Sequence, residues 1–256
     1  MIHSTAIIDA SAQIDESVAI GPYTIIGANV RIGAGSSIGP HVVIRGTTTI
    51  GRDNRIFQFA SIGEDPQDKK YHGETTRLEI GDRNVIREYC TIHRGTMQDK
   101  EVTHIGDDNL LMAYTHVAHD CHVGNHVIMA NAASLAGHVS VEDHSILGGF
   151  SLVHQFCRVG QYAFSAMGSV ISRDIPPYVM VGGRPTKPHG INTVGLERQG
   201  FSGEAIRQIR KAYKILYKSG LKLEDAIRML EEMTAETPEL ESMGQFLRAT
   251  GRSIIR

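Results

Sequence analysis

The sequence predicts a mainly β fold, a triangular prism of stacked parallel coils followed by a small α-helical domain. Isoleucine recurs every six residues from Ile2 through Ile8, Ile14, Ile20, Ile26, Ile32, Ile38, Ile44, Ile50 and Ile56 to Ile62. Glycine often follows directly, at Gly21, Gly27, Gly33, Gly39, Gly51 and Gly63. After Ile171 the step of six fades and an amphipathic helical period replaces it.

A step of six rotates an apolar stripe well off one helix face, so no helix can use it. Three such steps close one triangular coil: each short strand sends one aliphatic side chain inward, and glycine permits the corner turn. An ordinary antiparallel sheet would instead show a period of two. The phase resumes at Ile80, Ile86 and Ile92, slips by one residue, and continues from Ile105, Leu111, Val117 and Val123 to Val159. Two polar segments interrupt it, 64–79 and 94–104, and such insertions map to loops on a solenoid. The Pro/Gly-rich stretch "RDIPPYVMVGGRPTKPHG" reads as an exit segment. This divides the chain into a prism over 1–190 and a helical domain over 191–256.

In that second domain Ser202 is an N-cap and Gly220 a stop for a helix whose stripe is Ile206, Ile209, Tyr213 and Leu216. "KLEDAIRMLEEM" gives a second helix, and a third follows Pro238.

Bulk properties narrow the class. Net charge is −2, from 26 basic and 28 acidic residues, and leaves no basic footprint for nucleic acid. The first residues lack a basic segment followed by an apolar block, which argues against a secretory signal. No uncharged apolar run approaches the roughly 18 residues of a membrane span. Cys90, Cys121 and Cys157 form no paired framework and share a phase held elsewhere by small or apolar residues. They read as core fillers in a reducing, cytoplasmic protein.

The stretch "THVAHDCHVGNH" (115–126) is dense in histidine. Residues one coil apart should stack, so the register disperses the cluster. His119 aligns with Gly137 and Gln155, and Asp120 with His138, with His154 beside Gln155. His126 and His144 fall on another edge and, with His41, read as solvated histidines. His116 and His122 lie on two further strands. A zinc site needs three or four convergent ligands, and glycine and glutamine do not complete one. General-base catalysis suits an edge of this composition, since histidine titrates near neutral pH.

The motifs "HVAHDC", "LAGHVSVED" and "LVHQFC", joined to "QDKKYHGE" and "IHRGT", resemble those of UDP-N-acetylglucosamine acyltransferases, hexapeptide-repeat enzymes that begin lipid A synthesis. The likeness spans nearly the whole chain. It implies a left-handed parallel β-helix, against the usual right-handed crossover. It also implies transfer of an (R)-3-hydroxyacyl group from acyl carrier protein to the 3-hydroxyl of UDP-N-acetylglucosamine, in a homotrimer with sites between subunits. Carried over by motif, His119 is the general base, Asp120 orients it, and Gly137 N–H is the oxyanion donor. His116, His138, His154 and Gln155 bind substrate, with Asp68 and Lys70 reaching in from the first insertion. Asn192 and Arg198 bind nucleotide, although Val194 and Gln199 stand where a well-known relative has glutamate and a second arginine. Met167 occupies the acyl-chain ruler position, which implies a shorter, hydroxydecanoyl-like donor. Arg207, Arg210, Lys211, Lys214 and Lys218 form a basic helix stripe suited to an acidic carrier protein. No cofactor and no metal is expected. A related N-acyltransferase, a zinc hydratase of carbonic-anhydrase type and a non-catalytic scaffold are the alternatives.

Overall fold

The computed structural model describes residues 1–234, 237–249 and 253–256. Most strands are two residues long, and they align into three parallel sheets, the three faces of a prism. Face 1 begins at Ile7–Ile8 and ends at Val170–Ile171, and face 2 runs from Gln13–Ile14 to Arg158–Val159. Face 3 runs from Ala19–Ile20 to Phe164–Ser165. The coils wind as a left-handed parallel β-helix.

Each coil places the isoleucine phase inward. Ile26, Ile44, Ile62, Ile92, Val117 and Leu135 are fully buried one above another. Each such side chain stabilises the fold by about 1.5–3 kcal/mol relative to exposure. The core is therefore a column of aliphatic triplets, and the three cysteines are buried within it as thiols. At the corners the chain repeatedly adopts positive φ at non-glycine residues, among them Asp120 (58°) and His138 (64°). Left-handed backbone there costs about 1–2 kcal/mol per residue. Ladder hydrogen bonds such as His138 N–H to His119 O (3.0 Å) hold these corners in place.

The ladder survives both interruptions. Ile62 pairs with Ile92 and Ile92 with Val117, although more than one regular coil of sequence separates each pair. Each insertion also lends strand at its ends, at Ser61–Glu64, Arg77–Ile80 and Val102–Ile105.

The expected exit segment is more ordered than its Pro/Gly content suggests. Val179–Gly182 adds to face 3 beside Phe164–Ser165, and Lys187–Ile191 folds back antiparallel upon it. Prolines are tolerated there because this is the sheet edge, where an absent N–H costs no ladder bond.

Among the described residues four α-helices follow: α1 (Thr193–Arg198), α2 (Gly203–Lys218), α3 (Leu223–Thr234) and α4 (Glu241–Arg248). Asn192 caps α1 through Gly195 N–H, and Ser202 caps α2 through Ala205 N–H. The short α1 escaped the periodicity reading because one turn and a half carries no stripe. Leu196, Ile209, Leu216, Leu230 and Phe246 form the helical core. Arg158 stands 4.1 Å over the Phe246 ring and donates to its carbonyl, and Tyr178 Oη meets Ser242 Oγ at 2.7 Å. These contacts fix the helices against the end of the prism.

Candidate active site

His119 and Asp120 turn the corner between His116–Val117 on face 1 and His122–Val123 on face 2. The turn aims the Asp120 carboxylate back under the corner, where its side chain has no exposure to solvent. His119 Nδ1 lies 2.9 Å from Asp120 Oδ2, and the imidazole keeps 14% exposure. The carboxylate accepts two further bonds, from Thr96 N–H at 2.9 Å and Thr96 Oγ–H at 2.6 Å. Asp120 N–H itself donates to Thr103 Oγ at 2.9 Å.

Burial resists the charge on Asp120, yet hydrogen bonds from His119, Thr96 Oγ and Thr96 N–H together outweigh it. The carboxyl is held below the usual carboxylate range, so it is ionised at neutral pH. An ionised acceptor on Nδ1 fixes the imidazole tautomer and leaves Nε2 to exchange a proton.

One coil above, Gly137 packs against the ring where a side chain would not fit. A Cβ there would meet His119 Cε1 at 2.6 Å and Nε2 at 2.7 Å. Gly137 is buried, and its N–H has no hydrogen-bond partner among the described residues. Beside it, His138 crosses His119 edge to face at 5.0 Å and stacks on Phe156 at 4.4 Å. His138 Nδ1 lies 2.8 Å from Asp99 Oδ2 and 3.9 Å from Asp120 Oδ2. Exposed His154 and Gln155 lie at the next coil.

The same edge holds a histidine the repeat did not single out. His93 is buried behind His116 at 5.0 Å, with no hydrogen-bond partner for Nδ1 among the described residues. Burial, and then the charges of His116, His119 and Arg94, push it down to about 4. His116 Nδ1 bonds Thr91 Oγ at 2.7 Å, and burial likewise lowers its pKa. Thus His116, placed on a separate strand by the register, still borders the edge from behind.

Sequence comparison covers the whole chain. Residues 103–137 match the family "Bacterial transferase hexapeptide (six repeats)", and 174–255 match "Udp N-acetylglucosamine O-acyltransferase; Domain 2". The acyl-[acyl-carrier-protein]--UDP-N-acetylglucosamine O-acyltransferase of Alkalilimnicola ehrlichii is 57% identical over 255 residues, covering 100% of this chain and 99% of that protein. The chain belongs to the UDP-N-acetylglucosamine O-acyltransferase family. Two solved members of the family agree in fold. The Francisella novicida UDP-N-acetylglucosamine acyltransferase superposes with a TM-score of 0.99 at 44% identity, covering 100% of this chain and 94% of that one. The Moraxella catarrhalis enzyme gives 0.97 at 47%, with 100% and 99% covered.

Of the remaining positions marked by the family motifs, Asp68 and Lys70 share the face 1–face 2 edge through their insertion, and the others lie elsewhere on the prism. Asn192, Val194 and Arg198 line a hollow of about 450 Å³ with Ile146, Phe164 and Met180, outward residues of face 3. Met167 projects from the edge between faces 3 and 1, with 76% exposure. Asp68 and Lys70 stand in the first insertion, where the Asp68 carboxylate accepts from Lys70 N–H at 3.0 Å. Face 3 is opposite the His119 edge in a triangular section, so one chain does not bring Asn192, Val194 and Arg198 to His119.

The three surface assignments divide. His41 and His126 are exposed, but His144 is half-buried, stacked between His126 and Tyr162 at 4.7 Å each, with Nδ1 buried and without a hydrogen-bond partner among the described residues. The correction has a simple cause: aromatic neighbours on the same corner cover it. The register also missed Thr96, Asp99 and Thr103. All three come from the second insertion, outside the repeat that locates the others.

Proposed function

We propose that this protein transfers an (R)-3-hydroxyacyl group from acyl carrier protein to the 3-hydroxyl of UDP-N-acetylglucosamine, the first step of lipid A biosynthesis. The observation that carries the reading is His119, anchored through Nδ1 on ionised Asp120, with Nε2 beside Gly137, whose N–H has no partner among the described residues. A proton acceptor next to a backbone donor is what acyl transfer requires.

In this mechanism His119 Nε2 takes the proton of the sugar hydroxyl as its oxygen attacks the thioester carbonyl. A sugar hydroxyl is a poor nucleophile until that proton is removed, whereas the thiol is the better leaving group. Gly137 N–H donates to the oxyanion of the tetrahedral intermediate. Collapse breaks the C–S bond, and the imidazolium returns its proton to the departing thiolate. Asp120 stabilises the imidazolium between the two transfers. His116, His138, His154 and Gln155, with Asp68 and Lys70, hold the sugar and diphosphate, and Asn192 and Arg198 hold the nucleotide.

Because Asn192 and Met167 lie away from the His119 edge, the complete site requires a second copy of the chain. A homotrimer, with three sites at its three seams, answers this. Met167 stands where the terminal carbons of the acyl chain would run, so it shortens the chain accepted. Each excluded methylene forgoes about 0.8 kcal/mol of burial. The exposed charges of Arg207, Arg210, Lys211, Lys214 and Lys218 on α2 suit an acidic carrier protein. No helix among the described residues is long and apolar enough to cross a membrane. Three buried cysteine thiols suit a reducing compartment, the cytoplasm.

The test is an acyl-transfer assay with purified protein, UDP-N-acetylglucosamine and a panel of hydroxyacyl carrier proteins. Turnover that His119→Ala abolishes is expected. Failure of the wild-type protein to acylate the nucleotide sugar with any donor would overturn the reading.

A further inference from the structure

The His119 corner contains an unresolved choice that the β-helix alone would leave open. Two imidazoles flank one buried carboxylate: His119 Nδ1 is 2.9 Å from Asp120 Oδ2, and His138 Nδ1 is 3.9 Å from the same oxygen. Rotation of a carboxylate about its terminal torsion is soft, since such torsions occupy broad wells. A small turn would hand the oxygen to His138 and release His119.

The second insertion removes this freedom from both sides. Thr96 grips the Asp120 carboxylate by two donors, N–H on Oδ1 and Oγ–H on Oδ2, which sets its plane. Three residues later Asp99 supplies His138 with an acceptor of its own at 2.8 Å. Thr96 is buried, and the loop behind it is anchored by Arg94, whose guanidinium bonds Gly63 O, Asp65 and Tyr71 Oη of the first insertion. Each imidazole thereby has one carboxylate, and the two do not compete.

We propose that the 94–104 insertion is a positioning element for acyl transfer, in which Thr96 orients Asp120 towards His119 and Asp99 withholds His138 from Asp120. Neither residue is offered as a catalytic group; each acts through a neighbour. The inference rests on His119 serving as the base. It adds a second Asp–His pair to the first and assigns the hydroxyl that keeps the first aligned.

The experiment measures kcat and KM for acyl transfer to UDP-N-acetylglucosamine, with melting temperature recorded for every variant. Thr96→Val keeps shape and the backbone donor but loses the hydroxyl. It should lower kcat about tenfold to a hundredfold with KM for the sugar nucleotide held, as expected for loss of a bond to a charged group. Thr96→Ser restores the hydroxyl and should recover kcat to within about threefold of wild type. Asp99→Ala should lower kcat, while Asp99→Asn, whose carbonyl still accepts from Nδ1–H, should not. In a His138→Ala background Asp99→Ala should have no further effect on kcat, because the competitor is gone.

Thr96→Val with wild-type kcat, or Thr96→Ser as impaired as Thr96→Val, would overturn the role of the hydroxyl. An Asp99→Ala loss that adds in full to that of His138→Ala would overturn the withholding role. The underlying reading fails separately: there His119→Ala itself would retain turnover, whatever the Thr96 variants do.

Discussion

The His119 imidazole fills the space a side chain at Gly137 would need, 2.6 Å from Cε1 and 2.7 Å from Nε2 to a notional Cβ. Gly137→Ala must therefore push the ring aside or cover the 137 amide. Its kcat should fall about a hundredfold or more, comparable to removal of one oxyanion donor. His119→Ala should lose about 10²–10⁴-fold. The two losses should not add, since either disrupts the same pair, and steady-state kinetics of the double variant checks this. Full additivity would separate the ring from the amide.

Met167→Gly should extend the preferred donor by several methylenes and leave turnover on the shorter donor within a few-fold. Competition between hydroxyacyl carrier proteins of two lengths reads the ratio directly. An unchanged preference would mean that the side chain folds away from the acyl path, despite its exposure at the edge between faces 3 and 1.

Separation of Asn192 on face 3 from the His119 edge predicts complementation between subunits. His119→Ala and Asn192→Ala homo-oligomers should each be deficient, and co-expressed chains should form mixed assemblies with activity above either parent. Rescue follows because one seam can draw an intact His119 from one chain and an intact Asn192 from its neighbour. Absence of rescue in verified mixed assemblies would place both residues at one site on one chain.

Stability should fall between pH 7 and pH 4. Burial, together with His116, His119 and Arg94, holds His93 at about 4, against about 6.5 for an unperturbed histidine. As pH drops through 6.5 the unfolded chain binds a proton that the folded chain refuses, so unfolding becomes easier until about pH 4. His116, His122 and His144, each lowered chiefly by burial, act in the same direction. The limiting slope is about 1.4 kcal/mol per pH unit for each proton excluded. Urea midpoints at several pH values measure it, and His93→Gln should flatten the dependence; an identical slope in that variant would count against His93.

Charge reversal at Arg210 and Lys211 should raise KM for the carrier protein several-fold at low ionic strength, with kcat unaltered. Raising salt should narrow the gap between variant and wild type, because exposed charges are screened over about 10 Å at 0.1 M. Equal KM values at low salt would remove α2 from the carrier-binding surface.

What could be read in advance followed the periodicity. The step of six located the inward column and, through stacking, brought His119, Gly137 and Gln155 to one edge with Asp120 and His138. Thr96 and Asp99 were invisible to that logic, because no stacking rule reaches into an insertion of irregular length. His93 was passed over for a different reason. It directly follows the inward Ile92 on the face 1 strand Thr91–His93, but nothing in a single sequence distinguishes a buried histidine from an exposed one. The edge strand Lys187–Ile191 and the short α1 were hidden by prolines, glycines and brevity, where tertiary pairing decides the outcome.

The ladder that closes over both insertions has an implication for how such a protein can change. Ile62 finds Ile92 and Ile92 finds Val117 whatever length of chain is looped out between them. The prism thus behaves as a rail with fixed stations, and each excursion is a fitting that can be lengthened, shortened or reshaped without disturbing the stations above or below. Alteration of chemistry on this scaffold needs no new core. It needs only a different loop at the same stop.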